Sequence, residues 1–307
     1  MPPQKHPSQP SDSLYGEWLR YLPASWHGFA LLARYDRPIG VWLLFLPCLW
    51  GLALAARDIQ AYPDWQMILL FAVGAIAMRG AGCTLNDLID HDLDAQVART
   101  SGRPLPSGMV SRHAAWLFLA AQCLVGLVVL LQFNALTIGL GFASLSLVVF
   151  YPFAKRLFWC PQCVLGVVFN WGVWLGYTAF ANDISLAALA LYCAAIFWTI
   201  GYDTIYAHQD KEDDALIGVK STARLWGGAT KPALWLCYGA TLLCLAIVAS
   251  LAGLQILFWV GWSIAAWHLA YQIILLDIDD PASCLRQFRS NRDTGAIIAG
   301  ALFLGIF

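Results

Sequence analysis

Between Asn86 and Asp94 the chain reads Asn-Asp-Leu-Ile-Asp-His-Asp-Leu-Asp, four carboxylates within nine residues at the end of a long apolar run. Continued as a helix, this stretch sets Asn86, Asp90 and Asp94 four apart on one face, with Asp87 three from Asp90. Side chains so spaced lie about 5–6 Å apart. Each ionised pair then repels by roughly 3 kcal/mol at an effective dielectric of about 20, and a cation relieves that repulsion. An all-oxygen donor set without thiolates suits a hard ion such as Mg2+, which keeps waters and is completed by substrate phosphates. The bland alternative is a solvated acidic cap on a helix end.

A second segment, Asp203-Thr-Ile-Tyr-Ala-His-Gln-Asp-Lys-Glu-Asp-Asp214, also follows an apolar run. Asp210 and Asp214 are again four apart, and Asp203 lies on their stripe two turns deeper. Two carboxylate clusters on one side of a membrane can hold two metal ions around one diphosphate. Basic residues accompany them. Arg34 and Arg37 precede a helix-starting Pro38, Arg99 and Arg103 stand in a Pro/Gly turn, and Lys220 lies in Gly218-Val-Lys-Ser-Thr222. Each is either a topological anchor or a phosphate donor. Arg79 sits inside an apolar run seven residues before Asn86. A charge in hydrocarbon costs about 2.5–3.5 kcal/mol, so Arg79 should face the interior, with Asp203 or a diphosphate as its partner.

The elements that must position these groups are membrane helices. Sixty per cent of the residues are apolar, 12% are charged and mean hydropathy is +0.63, values that set the chain among integral membrane proteins. At about 20 residues per span, nine spans are expected: 38–56, 65–85, 113–132, 135–153, 160–180, 186–207, 232–252, 254–277 and a short 293–307. Of the 18 Lys and Arg, Arg57 alone then falls on the far side. The positive-inside bias makes the N-terminus and both Asp clusters cytoplasmic.

Residues 1–13 are polar without a signal-peptide core. Leu14 to Trp26 read as an interfacial amphipathic helix, so a tail and helix (1–26) are expected before one transmembrane domain (27–307). A bacterial inner membrane is the expected site, with the mitochondrial inner membrane as the second reading. Cys160-Pro-Gln-Cys163 is a lone CxxC expected to serve packing, as is His268. Asn170 and Trp171 in the fifth span can line a cavity for a flat substrate. Lys155 and Arg156 close the fourth span as anchors by composition. There is no P-loop, dinucleotide fingerprint or nucleophile elbow, and nucleic acid is not an expected partner.

Taken together, the segments resemble the UbiA superfamily of membrane prenyltransferases. Its NDxxDxxxD motif is matched by Asn86, Asp87, Asp90 and Asp94, and its DxxxD motif by Asp210 and Asp214. Six further pieces look like the 4-hydroxybenzoate branch: 34–40, 79–83, 99–108, 151–156, 201–207 and 218–222. The resemblance implies an all-α fold of about nine helices in a ring around a central cavity, with cytoplasmic cap loops. It implies Mg2+ at the two motifs and polyprenyl diphosphate as donor, bound with the help of Arg34, Arg79, Arg99, Arg103 and Lys220. Asp90, Asp203 and Asp210 are the expected catalytic carboxylates, with Asp203 or the second cluster as base for the phenol. Lys155, Arg156 and Asn170 are expected at the acceptor, Arg156 on its carboxylate. The implied activity is Mg2+-dependent prenylation of 4-hydroxybenzoate beside its hydroxyl, in ubiquinone biosynthesis. The alternatives are another acceptor (naphthoate, homogentisate, haem or glycerol phosphate) and, from a different class, a cation transporter.

Overall fold

The computed structural model describes residues 21–94, 100, 102–211 and 220–306, with the side chains of 93, 94, 150–157 and 210 outside that description. Regular structure among these residues is helical throughout: α1 (Ala24–Leu32), α2 (Ile39–Ile59), α3 (Trp65–Ile89), α4 (His91–Asp94), α5 (Arg112–Leu130), α6 (Ala135–Leu157), α7 (Pro161–Phe169), α8 (Gly172–Ala181), α9 (Leu186–Ala207), α10 (Thr222–Trp226), α11 (Thr230–Ala252), α12 (Ile256–Leu275) and α13 (Pro281–Leu304). Seven segments among the described residues are long and apolar enough to cross a membrane: α2, α3, α5, the α7–α8 pair, α9, the stretch through α10 and α11, and α12. Their outward faces carry Leu124, Leu186, Leu236, Ile256 and Trp267 in the open. In water such a surface would aggregate, whereas lipid solvates it. This is a multi-pass membrane protein.

Three expectations need correction. The last helix does not start at 293 but at Pro281, and it runs 24 residues to Leu304. Asp280 caps it, accepting from the N–H groups of Ala282 at 2.9 Å and Ser283 at 3.0 Å. Proline at the first helical position is preorganised for that start. Hydropathy missed these turns because Arg286, Arg289, Arg292 and Asp293 lie in them. The fifth span is two helices, interrupted at Asn170 and Trp171. Of the helix expected at 14–26, residues 14–20 lie outside the described residues, and the remainder differs: α1 begins after Pro23 and continues to Leu32.

The helices gather into two compact units. One takes the described residues up to Trp42 together with Ala72–Gln132; the other takes Leu43–Phe71 and Phe133 onward. In the first, Leu32, Ala81, Leu88, Leu105, Val110, Ala115 and Leu119 form a core. It joins α1, the last turns of α3, the turn at 102–110 and the start of α5, which Ser111 caps through a 3.2 Å bond from the Ala114 N–H.

In the second unit α9 is central, packed by α7, α11 and α13, with Trp198 and Tyr202 almost fully buried. Helix α8 meets α2 backbone to backbone. A Cβ at Gly51 would collide with the Val173 carbonyl, and one at Gly176 with the Cys48 carbonyl, the small-residue contact by which membrane helices approach closely. Arg57 ends α2 and donates to three carbonyls: Ala252 at 3.0 Å, Gly253 at 2.9 Å and Ile306 at 2.9 Å. Arg57, expected alone on the far side, thus caps the carbonyls at the ends of α11 and α13, which lack helical partners. Replacing it by Met should cost roughly 2–3 kcal/mol, since charged hydrogen bonds are lost and carbonyls are left unpaired. Unfolding of the purified variant in a denaturing-detergent titration should show that loss; an unchanged midpoint would remove Arg57 from the stabilising contacts.

Candidate active site

The first motif closes α3. The helix runs to Ile89, and the Asp90 N–H still reaches the Asn86 carbonyl at 2.9 Å, so Asn86 and Asp90 share a face one turn apart as expected. Both are half-buried, whereas Asp87 is 1% exposed. Its Oδ1 accepts from Arg34 Nη2 at 2.7 Å and lies 3.5 Å from Arg103 Nη1. Arg34 holds a left-handed backbone, φ 58°, rare outside glycine, and its Nη1 also donates to the Leu31 carbonyl at 3.1 Å. Burial alone would lower the Arg34 pKa; Asp87, with Cys83 and Asp36 adding to it, outweighs burial and raises it. Arg34 is thus a fixed cation inside the motif rather than a rim anchor.

Arg103 stands on the turn that packs into the same core, its N–H bonded to the Thr100 carbonyl at 2.9 Å. Arg79, two turns before Asn86, donates to Cys83 Sγ at 2.5 Å and lies against Gly40, where a Cβ would meet its guanidinium. Arg99 and the side chain of Asp94 lie outside the described residues.

The second motif follows α9. Asp203 sits half-buried on its last turns, and at His208 the helix tightens to a 3-10 turn through Asp210. His208 is 6% exposed, with Nε2 at 2.9 Å from Thr230 Oγ1. Burial, with Lys211 adding to it, lowers its pKa to about 4, so the ring is neutral at physiological pH. Asp214 and the side chain of Asp210 fall outside the described residues. So do the side chains of Lys155 and Arg156, which lie on the last turn of α6. Among the described residues no three His, Cys, Asp or Glu side chains converge as a metal cluster.

The inner part of the second unit is rich in aromatic rings. The Trp198 ring lies 5.0 Å from Trp50, tilted, and 5.0 Å from Tyr202, edge-on, and Phe288 lies 5.9 Å from Tyr202 and 4.6 Å from Tyr206. Trp198 Nε1 donates to Asn291 Oδ1 at 2.8 Å. Nothing in the sequence singles out Asn291, a polar residue in a helix rich in arginine. Two readings are corrected. Asn170, expected at the acceptor, is fully buried. Its Nδ2 lies 2.8, 3.1 and 2.7 Å from Gly166 O, Ala195 O and Thr199 Oγ1, so its two amide hydrogens are shared among acceptors that tie the end of α7 to α9. Cys160 and Cys163, expected as packing residues, are joined in a disulfide at the start of α7. His268 is a packing residue as expected, 2.7 Å from Thr294 Oγ1.

The model of the UbiA prenyltransferase family matches residues 44–297, a stretch that contains both motifs. The chain belongs to the UbiA prenyltransferase family. The 4-hydroxybenzoate polyprenyltransferase, mitochondrial, of Drosophila pseudoobscura pseudoobscura is 48% identical over 306 residues, 99% of this chain and 75% of that one. The protein of the same description from Homo sapiens is 46% identical over 276 residues, covering 90% and 73%. Among solved structures, the apo UbiA homolog from Aeropyrum pernix K1 superposes with a TM-score of 0.72 at 26% identity, over 87% of this chain and 98% of that one. A UbiA homolog from Archaeoglobus fulgidus bound to GPP and Mg2+ has a TM-score of 0.67 at 19% identity, over 91% and 99%; this is a likeness of fold.

The buried ion pair of this UbiA-family chain yields a prediction. Arg34→Ala strips Asp87 of its nearest cation and should cost about 3 kcal/mol or more, whereas Arg34→Ala combined with Asp87→Asn should recover most of that stability. Unfolding midpoints of the two variants decide it, and equal midpoints would exclude a strong pair.

Proposed function

We propose that this protein is a membrane prenyltransferase that moves a polyprenyl group from polyprenyl diphosphate to 4-hydroxybenzoate, at the ring carbon beside the hydroxyl, in ubiquinone biosynthesis. One observation carries the reading. Both aspartate motifs lie inside the family match of a chain that is 48% identical, over 306 residues, to a relative named for this activity.

The first motif fits Mg2+ by the chemistry of its donors. Asn86 and Asp90 offer oxygen from one helix face, and the charge of Asp87 is balanced by Arg34 and Arg103, so the site does not repel itself when filled. Asn86, Asp87, Asp90 and Asp94 would hold one ion, and Asp210 and Asp214 another. Bound there, Mg2+ neutralises diphosphate oxygens and improves the leaving group.

The chain's own residues do the rest. Arg34, Arg79, Arg99, Arg103 and Lys220 donate to the diphosphate and orient it. Its departure leaves an allylic cation, which water would quench, so the apolar and aromatic side chains of the bundle act by excluding water. The phenol ring attacks through the carbon beside its hydroxyl. Asp203, half-buried on the last turns of α9, accepts the phenol proton in this reading. Arg156, with Lys155 beside it, holds the acceptor's carboxylate through a bidentate fork.

For the compartment, the relatives' names favour the mitochondrial inner membrane over the bacterial inner membrane expected from the sequence. The basic loops argue for an active site on the matrix or cytoplasmic side.

Purified protein in detergent, given a polyprenyl diphosphate, radiolabelled 4-hydroxybenzoate and Mg2+, should move label into the organic phase. EDTA or Asp90→Ala should abolish transfer, by a factor of about 100 or more for a lost electrostatic contact in the transition state. Arg156→Ala should raise the acceptor KM and leave the donor KM alone. Donor hydrolysis without transfer would redirect the assignment to another acceptor, and transfer that survives EDTA would sink the metal's role.

A further inference from the structure

The segment Cys160-Pro-Gln-Cys163 has no part in the reaction above, yet Gln162 within it is 3% exposed. Its Oε1 accepts the backbone N–H of Thr222 at 3.1 Å. Thr222 is fully buried, and its hydroxyl lies 2.6 Å from that of Thr204 on α9. Thr204 commits its single hydroxyl proton to the Ile200 carbonyl at 2.6 Å, so Thr222 is the donor between the two threonines. Three segments are thereby tied together: the start of α7, the backbone two residues after Lys220, and the residue of α9 that follows Asp203. A second contact acts on the same place from the same side. Trp159 presents its ring to Lys220 Nζ at 5.7 Å and to the Arg224 guanidinium at 5.8 Å, within reach of cation–π attraction.

We infer that Gln162 is a positioning residue for the donor. Through Thr222 and Thr204 it fixes the backbone that carries Lys220 relative to the turn that carries Asp203, while Trp159 steadies the ammonium group. The inference rests on the proposed function, in which Lys220 binds the diphosphate. Gln162 touches no substrate in this scheme; it sets where the Lys220 charge is held. A buried N–H left without an acceptor drives local rearrangement, and here the rearranging segment is the one beside Lys220. Packing alone would behave differently, because a loss of packing lowers stability without distinguishing one substrate from the other.

The test compares Gln162→Met, which keeps the volume and removes the acceptor oxygen, with Gln162→Glu, which keeps an acceptor oxygen. Affinity for the polyprenyl diphosphate is measured by equilibrium binding in Mg2+, alongside both KM values, kcat and the unfolding midpoint. Gln162→Met should weaken donor binding about tenfold, the size of one lost hydrogen bond, with the acceptor KM and kcat close to those of the unaltered protein. Gln162→Glu should recover part of the loss. Trp159→Leu should weaken donor binding and Trp159→Phe restore it. Lys220→Met separates the two levels of the argument. If it weakens donor binding and Gln162→Met does not, the inference fails and the role of Lys220 stands. If Lys220→Met leaves donor binding unchanged, the reading of Lys220 fails and the inference falls with it. A Gln162→Met protein that loses stability and raises both KM values together would show packing, and that too overturns the proposal.

Discussion

A carboxylate 1% exposed within apolar helices stands only with a cation against it, and the contact between Asp87 and Arg34 is the one on which the first unit depends. The partners are 53 residues apart in the chain, so the turn before α2 must return to the end of α3 before either can be buried. That return has a local cost, the left-handed backbone of Arg34, of the order of 1–3 kcal/mol for such a conformation. The core of Leu32, Leu88, Leu105 and Leu119 supplies the apolar contact that offsets it. Function follows from the same arrangement. In the proposed chemistry Asp87 is balanced from within the fold, and Asn86 and Asp90 would offer their oxygens to an incoming ion and its diphosphate.

In the second unit the equivalent constraint falls on hydrogen bonds instead of charge. Helix α9 is buried along much of its length, and among the polar groups it carries inward Thr199 pairs with Asn170, Trp198 with Asn291 and Thr204 with Thr222. Such a network is worth little in net free energy per bond, about 1 kcal/mol. Its members are costly to leave unmade, however, and it therefore specifies one arrangement of α7, α9 and α13 rather than several. The base proposed on α9 would draw on that rigidity more than on stability.

Much of this was legible in the chain. Both aspartate motifs, the polar face shared by Asn86 and Asp90, and most span positions follow from spacing and hydropathy, because a helix repeats its own geometry locally. What was hidden depends on partners distant in sequence. Arg34 could be read as an anchor or a phosphate donor, since nothing in Arg34-Tyr-Asp-Arg reveals Asp87. Asn170 looked like a ligand for an acceptor because a polar residue in a span is conspicuous, but the break that it caps becomes visible only when Ala195 and Thr199 are beside it. Arg57 looked like an exception to the charge bias, and the Ala252, Gly253 and Ile306 carbonyls explain it. The last helix looks short in the chain because Arg286, Arg289 and Arg292 interrupt its apolar character, although Asp280-Pro281 is a helix-start signal.

The two motifs also end their helices differently, which bears on how they share the proposed chemistry. After α3 the helical bond from Asp90 to Asn86 persists, so these two residues keep one face although the helix itself ends at Ile89. After α9 the turn at His208–Asp210 is 3-10. Such a turn advances about 120° per residue where an α-helix advances about 100°. Across those three residues Asp210 is rotated by roughly 60° from the line that the sequence draws through Asp203. Neutral His208, held on Thr230, keeps the tighter turn in place. In the proposed chemistry a metal ligand and a proton acceptor on one straight stripe would compete for the same ion, and the change of helical pitch between Asp203 and Asp210, tied by His208 to the start of α11, is where the two roles would part.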